Sequence, residues 1–153
     1  RTLDDLDATL SSFADDQPGN TALAGYLWGN RHWRRAHELR GLARYFRSIG
    51  VVDQPTLKEW AHRSEFRRDF EGRVKGLGRA VYQALLMRQG VDTVKPDVHV
   101  RRFADAAVGR RLSDADVVEV VTRAARELGM KAYELDWRIW EASRGGTAAP
   151  TSP

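Results

Sequence analysis

The sequence contains no cysteine, and this absence excludes several classes of protein. Without a thiol, the 153-residue chain cannot carry a disulfide framework, a cysteine nucleophile, a thiolate-bound zinc ion or an iron–sulfur cluster. No hydrophobic run approaches the roughly 18 residues that a membrane-spanning helix needs. The first residues also lack the basic-then-apolar pattern of a secretion signal. We therefore expect no membrane partner and a cytoplasmic protein, associated with the nucleoid if the source is bacterial.

Acidic side chains are scarce in the middle of the chain, although the net charge is only +4. Residues 1–30 carry one basic and five acidic side chains, residues 31–79 carry 13 and 6, and residues 80–153 carry 11 and 10. A basic middle segment fits an anionic partner such as nucleic acid. The excess of arginine over lysine also fits codon bias, with arginines that only solvate helix faces. Charge alone leaves both interpretations open.

Apolar side chains recur every three or four residues along most of the chain, which predicts helices. The first stripe runs from Leu3 to Phe13, and residues 15–20, which include a Pro-Gly pair, are expected to end it. Strand-like alternation is confined to a few residues near Val51, so the expected class is all-α. We expect a single domain over residues 1–143. The tail, residues 144–153, is expected to be disordered.

The sharpest local motif is the run Val74-Lys75-Gly76-Leu77-Gly78-Arg79 between two helical segments. Two glycines two positions apart let the backbone turn tightly and approach another surface closely. The helix that follows begins with free N–H groups and the positive end of its dipole, which suits an anion. Lys75 and Arg79 add positive charge on either side. The run therefore predicts contact of residues 75–79 with a phosphodiester backbone, and a plain helix–helix turn is the alternative.

A second motif, Lys95-Pro96-Asp97-Val98-His99-Val100, opens a later helix, and its aspartate lies 19 residues beyond Gly78. Together the two motifs resemble those of the helix-hairpin-helix, endonuclease-III-like DNA glycosylases of base excision repair. Members of that superfamily carry a hairpin of the form LPGhG and, about twenty residues later, an aspartate in a VDTHV-like context. Here Lys75 replaces the hairpin proline. The resemblance covers about residues 30–143, with Leu135–Trp140 where the family has its last core helix.

The resemblance implies that Asp97 serves catalysis. An ionised carboxylate stabilises the oxocarbenium-like sugar that forms when an N-glycosidic bond breaks, and it can orient or deprotonate water. The helix N-terminus helps to keep such a carboxylate ionised. Asp97 as an N-cap alone is the alternative, and the two roles are compatible. Ala80 occupies the position where strand-cleaving relatives have a Schiff-base lysine, so the resemblance implies a monofunctional enzyme.

The resemblance also implies a cation site and a base pocket. A monovalent cation, K⁺ or Na⁺, would bind backbone carbonyls of Gly76 and Gly78, and no iron–sulfur cluster is expected. Glycosylases flip the target nucleotide against aromatic or apolar faces and fill the gap with a wedge. Trp28, Asn30 and Tyr82 are the candidates for these roles, followed by Tyr26 and Trp33. The remaining expectations are phosphate contacts from Arg31, Arg34 and Arg35, a structural His99, and core positions for Trp137 and Trp140.

The combined expectation is an all-α, monofunctional glycosylase that excises a damaged or modified base from double-stranded DNA and leaves an abasic site. A non-catalytic helix-hairpin-helix DNA-binding module is the first alternative, and a helical protein-interaction domain is the second. The chain departs from the family near its start. Relatives have two more helices before the region that resembles residues 20–50, whereas the periodicity predicts only one here.

Overall fold

The computed structural model describes residues 2–145, and the prediction of an all-α fold is confirmed: this part of the chain is helical and contains no strand. None of its helices is long and apolar enough to cross a membrane. A five-residue π-helix spans Phe66–Phe70. The α-helices are α1 (Leu3–Ser11), α2 (Gln17–Trp28), α3 (Trp33–Ser48), α4 (Gln54–Arg63), α5 (Arg79–Arg88), α6 (Val98–Val108), α7 (Asp114–Glu127) and α8 (Ala132–Arg144).

The chain divides into two compact units, of which the first ends at Gly78 and the second begins at Arg79. In the first unit, α1 and α2 pack against α3. Their shared core consists of the buried residues Leu10, Leu23, Ala24, Ala36 and Ala43. Next to α4, aromatic rings pack edge to face: the centroids of Phe46 and Trp60 lie 5.0 Å apart at 81°.

The second unit is built on α6, α7 and α8, with α5 packed against α7. Its core is formed by Val94, Val100, Ala104, Leu112, Val117, Val121, Ala125, Ala132 and Ile139. β-Branched side chains and alanines dominate this core. The prediction of one functional domain over residues 1–143 stays a prediction.

The first helix ends before residues 15–20, as predicted, but α2 begins within that segment, and the periodicity did not predict this helix. Asp16 is the N-cap of α2, and its side chain accepts a hydrogen bond from the Gly19 N–H at 2.7 Å. Pro18 occupies the first turn, where a missing N–H costs nothing. A Cβ on Gly19 would overlap the Ala14 carbonyl oxygen. The proline and the glycine therefore start a helix here, and two helices precede Trp33.

The last helix, α8, continues through Arg144, one residue beyond its predicted end, and Gly145 follows it. Residues 146–153 lie outside the described residues. Two predicted helix starts are confirmed. Asp97 caps α6, and Ser113 forms a capping box with Asp116 at the start of α7.

Candidate nucleic-acid interface and carboxylate site

In the first unit, the glycine turn at residues 74–78 lies close against α3. Gly76 has φ of +90°, a conformation that only glycine adopts readily. A Cβ at Gly76 would come within 2.6 Å of Glu38 Oε1, and a Cβ at Gly41 within 2.9 Å of Val74 Cγ1. The turn itself is closed by the Leu77 N–H, which donates to the Val74 carbonyl at 3.2 Å. The positive φ favours glycine at position 76, and the close contact with Val74 favours it at position 41.

Basic side chains surround an open cavity of about 700 Å³ in the first unit, beside this turn. Arg44, Arg68, Arg73 and Lys75 line it, together with the acidic Glu38 and Asp69. The Arg68 guanidinium holds the pKa of the Asp69 carboxyl below its usual value. The exposed Lys75 brings its ammonium group to the same region. The predicted backbone-contact residues 75–78 therefore border a predominantly cationic surface.

A second group of predicted contact residues lies at the end of α2 and the start of α3. Trp28 is 44% exposed, and Tyr26 is 69% exposed. Asn30 lies in the connecting loop, where its Oδ1 accepts a hydrogen bond from the His32 N–H at 3.0 Å. Three exposed arginines follow within five positions: Arg31, Arg34 and Arg35. Because Arg34 stacks on the Trp33 ring at 5.5 Å, this stretch combines aromatic faces with positive charge.

The structure places Tyr82 differently from the other candidates. It lies on α5 and is buried, with 3% of its surface exposed. A contact between Tyr82 and a flipped base would require the ring to leave its buried position. Ala80, which stands at the lysine position of strand-cleaving relatives, lies in the first turn of α5.

Asp97 uses one carboxylate oxygen to cap α6. Its Oδ1 accepts hydrogen bonds from the His99 N–H at 2.9 Å and the Val100 N–H at 3.1 Å. The other oxygen, Oδ2, lies 3.8 Å from Lys95 Nζ, and the side chain is 22% exposed. The two N–H groups fix the orientation of the carboxylate, and the side chain stays partly exposed. Capping uses Oδ1, so the second predicted role of Asp97 would fall to Oδ2.

Asp136, which the sequence analysis placed only in a core helix, is a buried carboxylate in the second unit. It is 9% exposed, and its Oδ2 accepts a hydrogen bond from the Lys95 N–H at 2.7 Å. Burial raises the pKa of Asp136, the nearby Asp97 carboxylate raises it further, and Lys95 opposes both effects. An available signal was missed: Asp136 shares the inward face of α8 with Ala132 and Ile139, where an acid is unexpected.

Two further contacts join α8 to the segment around Asp97. Near the start of α8, the Tyr133 N–H donates to Asp92 Oδ1 at 3.1 Å. Near its end, Ser143 Oγ lies 2.9 Å from His99 Nδ1. Together with Asp136, these contacts hold residues 92–99 along the length of α8. The contact with Ser143 gives His99 a structural partner, in line with its expected role.

The expectation that Trp137 belongs to the core is wrong, since 55% of its surface is exposed. Trp140 is half-buried, and the two rings stack with centroids 5.1 Å apart and planes at 27°. Arg144 lies over the Trp140 ring at 4.5 Å. The reason is the helical period, because the position after the inward Asp136 points away from the core. Trp137 and Asp136 both line an open cavity of about 620 Å³ in the second unit.

The fold and these sites are those of an all-α protein with a glycine turn and a helix-capping carboxylate. The sequence model of a family described as a domain of unknown function (DUF8548) matches residues 32–144. The chain therefore belongs to that family. No curated protein and no solved structure matches the chain.

Proposed function

We propose that this protein is a monofunctional DNA glycosylase that removes a damaged or modified base by hydrolysing its N-glycosidic bond. The observation that carries the proposal is the arrangement of Asp97. One oxygen of this carboxylate is fixed by two backbone N–H groups, and the other is 3.8 Å from an ammonium group on a partly exposed side chain. A carboxylate that is held in place yet open on one side suits a reaction that develops positive charge.

In the proposed reaction, the bond between C1′ of the sugar and the base nitrogen breaks, and its electron pair leaves with the base. The Asp97 carboxylate stabilises the cationic sugar and accepts a proton from the attacking water. The water oxygen bonds to C1′, and a proton returns to the departing base. The products are the free base and an abasic site. With alanine at position 80, no imine with the sugar forms there, so the DNA strand stays intact.

The glycine turn supports the DNA-binding half of the proposal. Backbone groups of Gly76, Leu77 and Gly78 would meet a phosphate, with Lys75 and Arg79 adding charge to the contact. A K⁺ or Na⁺ ion at the carbonyls of Gly76 and Gly78 is part of the same proposal. The Glu38 carboxylate beside Gly76 is compatible with such a hard cation, which prefers oxygen ligands.

The test is release of free bases, read by mass spectrometry, from double-stranded DNA with a panel of alkylated, deaminated and oxidised bases. Wild type is expected to release at least one base, and Asp97→Asn to lose that activity. Asparagine caps a helix about as well as aspartate, so the variant is expected to fold and to keep its DNA affinity. An intact strand before alkali treatment is expected as well. Absence of release from every substrate would overturn the proposal.

A non-catalytic DNA-binding module is the second candidate, because the turn and the cationic cavity of the first unit serve binding without chemistry. This candidate predicts DNA affinity that falls steeply with salt, as phosphate contacts release counterions, but no base release. Both candidates predict weaker binding by Lys75→Ala. If DNA does not bind at low salt, both candidates fail and a helical protein-interaction domain is favoured.

A further inference from the structure

The backbone of Lys95 forms one hydrogen bond through its N–H and another through its carbonyl. Its N–H donates to Asp136 Oδ2 at 2.7 Å, and its carbonyl accepts from the Asp97 N–H at 2.8 Å. Pro96, between them, has a restricted φ and no N–H of its own. The backbone from residue 95 to residue 97 is therefore confined by two hydrogen bonds and a proline ring.

This segment connects α8 to the carboxylate of Asp97. The chain of contacts runs from Asp136 to the Lys95 peptide, then to the backbone of Asp97, whose side chain caps α6. Each contact is short and directional. A shift of Asp136 would therefore be transmitted to the position of the Asp97 carboxylate, because no flexible segment separates the two residues.

Stability alone does not explain why a carboxylate occupies position 136. Burial removes hydration from the charge, and the Asp97 carboxylate adds repulsion; both effects raise the pKa of Asp136. An apolar residue would suit the inward face of α8, next to Ala132 and Ile139. An ionised carboxylate is, however, a strong hydrogen-bond acceptor. Both of its oxygens accept hydrogen bonds and neither donates, and its hydrogen bond with an N–H is stronger than that of a neutral acceptor.

From this geometry we propose that Asp136 is a positioning residue that fixes the Lys95–Asp97 segment and thereby sets the orientation of the Asp97 carboxylate. This inference rests on the proposed function for its catalytic consequence, but the positioning itself is a structural property. Its two parts can be tested separately.

The first experiment uses wild-type protein and needs no activity. NMR follows the Asp136 side-chain carboxyl carbon and the Lys95 amide proton as a function of pH. Both signals are expected to titrate with one midpoint, because protonation of Asp136 weakens the bond that it accepts. If the Lys95 amide does not follow the titration of Asp136, the positioning contact is overturned, whether or not the protein is a glycosylase.

The second experiment compares Asp136→Ala, which removes the acceptor, with Asp136→Asn, which keeps one. In the alanine variant, hydrogen exchange of the Lys95 amide is expected to accelerate at least tenfold, while core amides such as that of Val121 keep their rates. The single-turnover rate of base release is expected to fall at least tenfold with unchanged DNA affinity. The asparagine variant is expected to lie between alanine and wild type in both measurements.

The outcomes separate the two proposals. If wild type releases no base while Lys95 exchange responds to Asp136→Ala, the proposed function fails and the positioning contact stands. If wild type is active and Asp136→Ala is equally fast despite faster Lys95 exchange, the inferred role of Asp136 in the reaction is wrong. Asp116→Asn, which changes a partly exposed carboxylate in the capping box of α7, is the matched control and is expected to match wild type in hydrogen exchange of Lys95 and in base release.

Discussion

Two charged side chains are buried among the described residues, one in each unit, and their surroundings differ. In the first unit, Arg40 is 6% exposed and donates from Nε to Asn20 Oδ1 and from Nη1 to the Leu10 carbonyl, both at 2.8 Å. Its Nη2 reaches two more carbonyls, and Asp15 lies 3.6 Å from its Nε. In the second unit, Asp136 receives one hydrogen bond, and Asp97 is a repelling neighbour.

The comparison distinguishes a buried charge that stabilises the fold, at Arg40, from a buried carboxylate whose charged form is disfavoured, at Asp136. Arg40 joins α3 to the end of α1 and the start of α2, and nearly every donor of its guanidinium has an acceptor. Such a group stabilises its surroundings because all polar partners are satisfied together. At Asp136, burial and the nearby Asp97 carboxylate both oppose the charged form of the side chain. Buried ionisable side chains with few compensating partners concentrate at functional sites, and Asp136 makes the second unit a candidate for one.

The largest expected effect is that of Arg40→Met. Methionine fills much of the volume but leaves the Phe13 carbonyl and the Asn20 amide oxygen without the donors that Arg40 supplies, at a cost of about 3 kcal/mol in the free energy of unfolding. Urea denaturation followed by circular dichroism measures this loss. The control is Arg44→Met on the same helix, whose exposed ion pair with Asp15 contributes under about 1 kcal/mol. Equal losses would show that Arg40 is not an anchor.

Gly76→Ala is expected to destabilise the first unit by about 2 kcal/mol, since alanine is strained at φ of +90° and its Cβ would press on Glu38. Gly72→Ala is the control, because Gly72 has φ of +73° but no atom near the added Cβ, and a loss of about 1 kcal/mol is expected. Adding Glu38→Ala to Gly76→Ala should remove the difference. Identical losses in the two single variants would mean that α3 does not restrict the turn.

Asp136→Asn tests the cost of the buried charge through pH. Since the folded pKa of Asp136 lies above its ordinary value of 3.8, its contribution to stability is present below about pH 3.8 and is lost as pH rises through the folded pKa. The variant lacks this loss, so its stability relative to that of wild type is expected to increase between pH 3.5 and pH 7. Urea denaturation at both pH values measures the change. A constant difference would contradict the raised pKa.

Trp137→Ala gives the smallest expected effect, under about 1 kcal/mol, because the ring is more than half exposed. Ile139→Ala is the contrast on the same helix, with an expected loss of about 2–4 kcal/mol from its buried position. Thermal or urea denaturation compares the two variants. If Trp137→Ala lowers the free energy of unfolding as much as Ile139→Ala does, Trp137 behaves as a core residue, as the sequence analysis predicted.

Much of the fold could be predicted from the sequence, because helical periodicity and capping residues act locally. The N-cap at Asp97 and the capping box at Ser113 are examples, and both are confirmed. The start of α2 was not predicted, because Pro18 and Gly19 have opposite meanings at the two ends of a helix. Only the tertiary structure shows that the Gly19 position has no room for a Cβ.

The candidate sites could be predicted only in part, for a related reason. Motifs identified Asp97 and the turn, whose residues are close in sequence. Asp136 lies 41 positions from Lys95, so their hydrogen bond has no local signature. Glu38 beside Gly76 and Arg40 beneath three carbonyls are likewise contacts over long sequence separation. Tyr82 and Trp137 show that an aromatic residue in a helix gives no indication by itself of which side it faces.

The most direct test of the account is base release by wild type, Asp97→Asn and Asp16→Asn under single-turnover conditions on the same modified DNA, with affinity measured in parallel. Asp16 is the N-cap aspartate of α2, so its variant carries the same charge change at a helix start in the first unit. We expect only Asp97→Asn to lose base release, with equal DNA affinity in all three proteins. Equal release by Asp97→Asn and wild type would contradict the proposed catalytic role of Asp97.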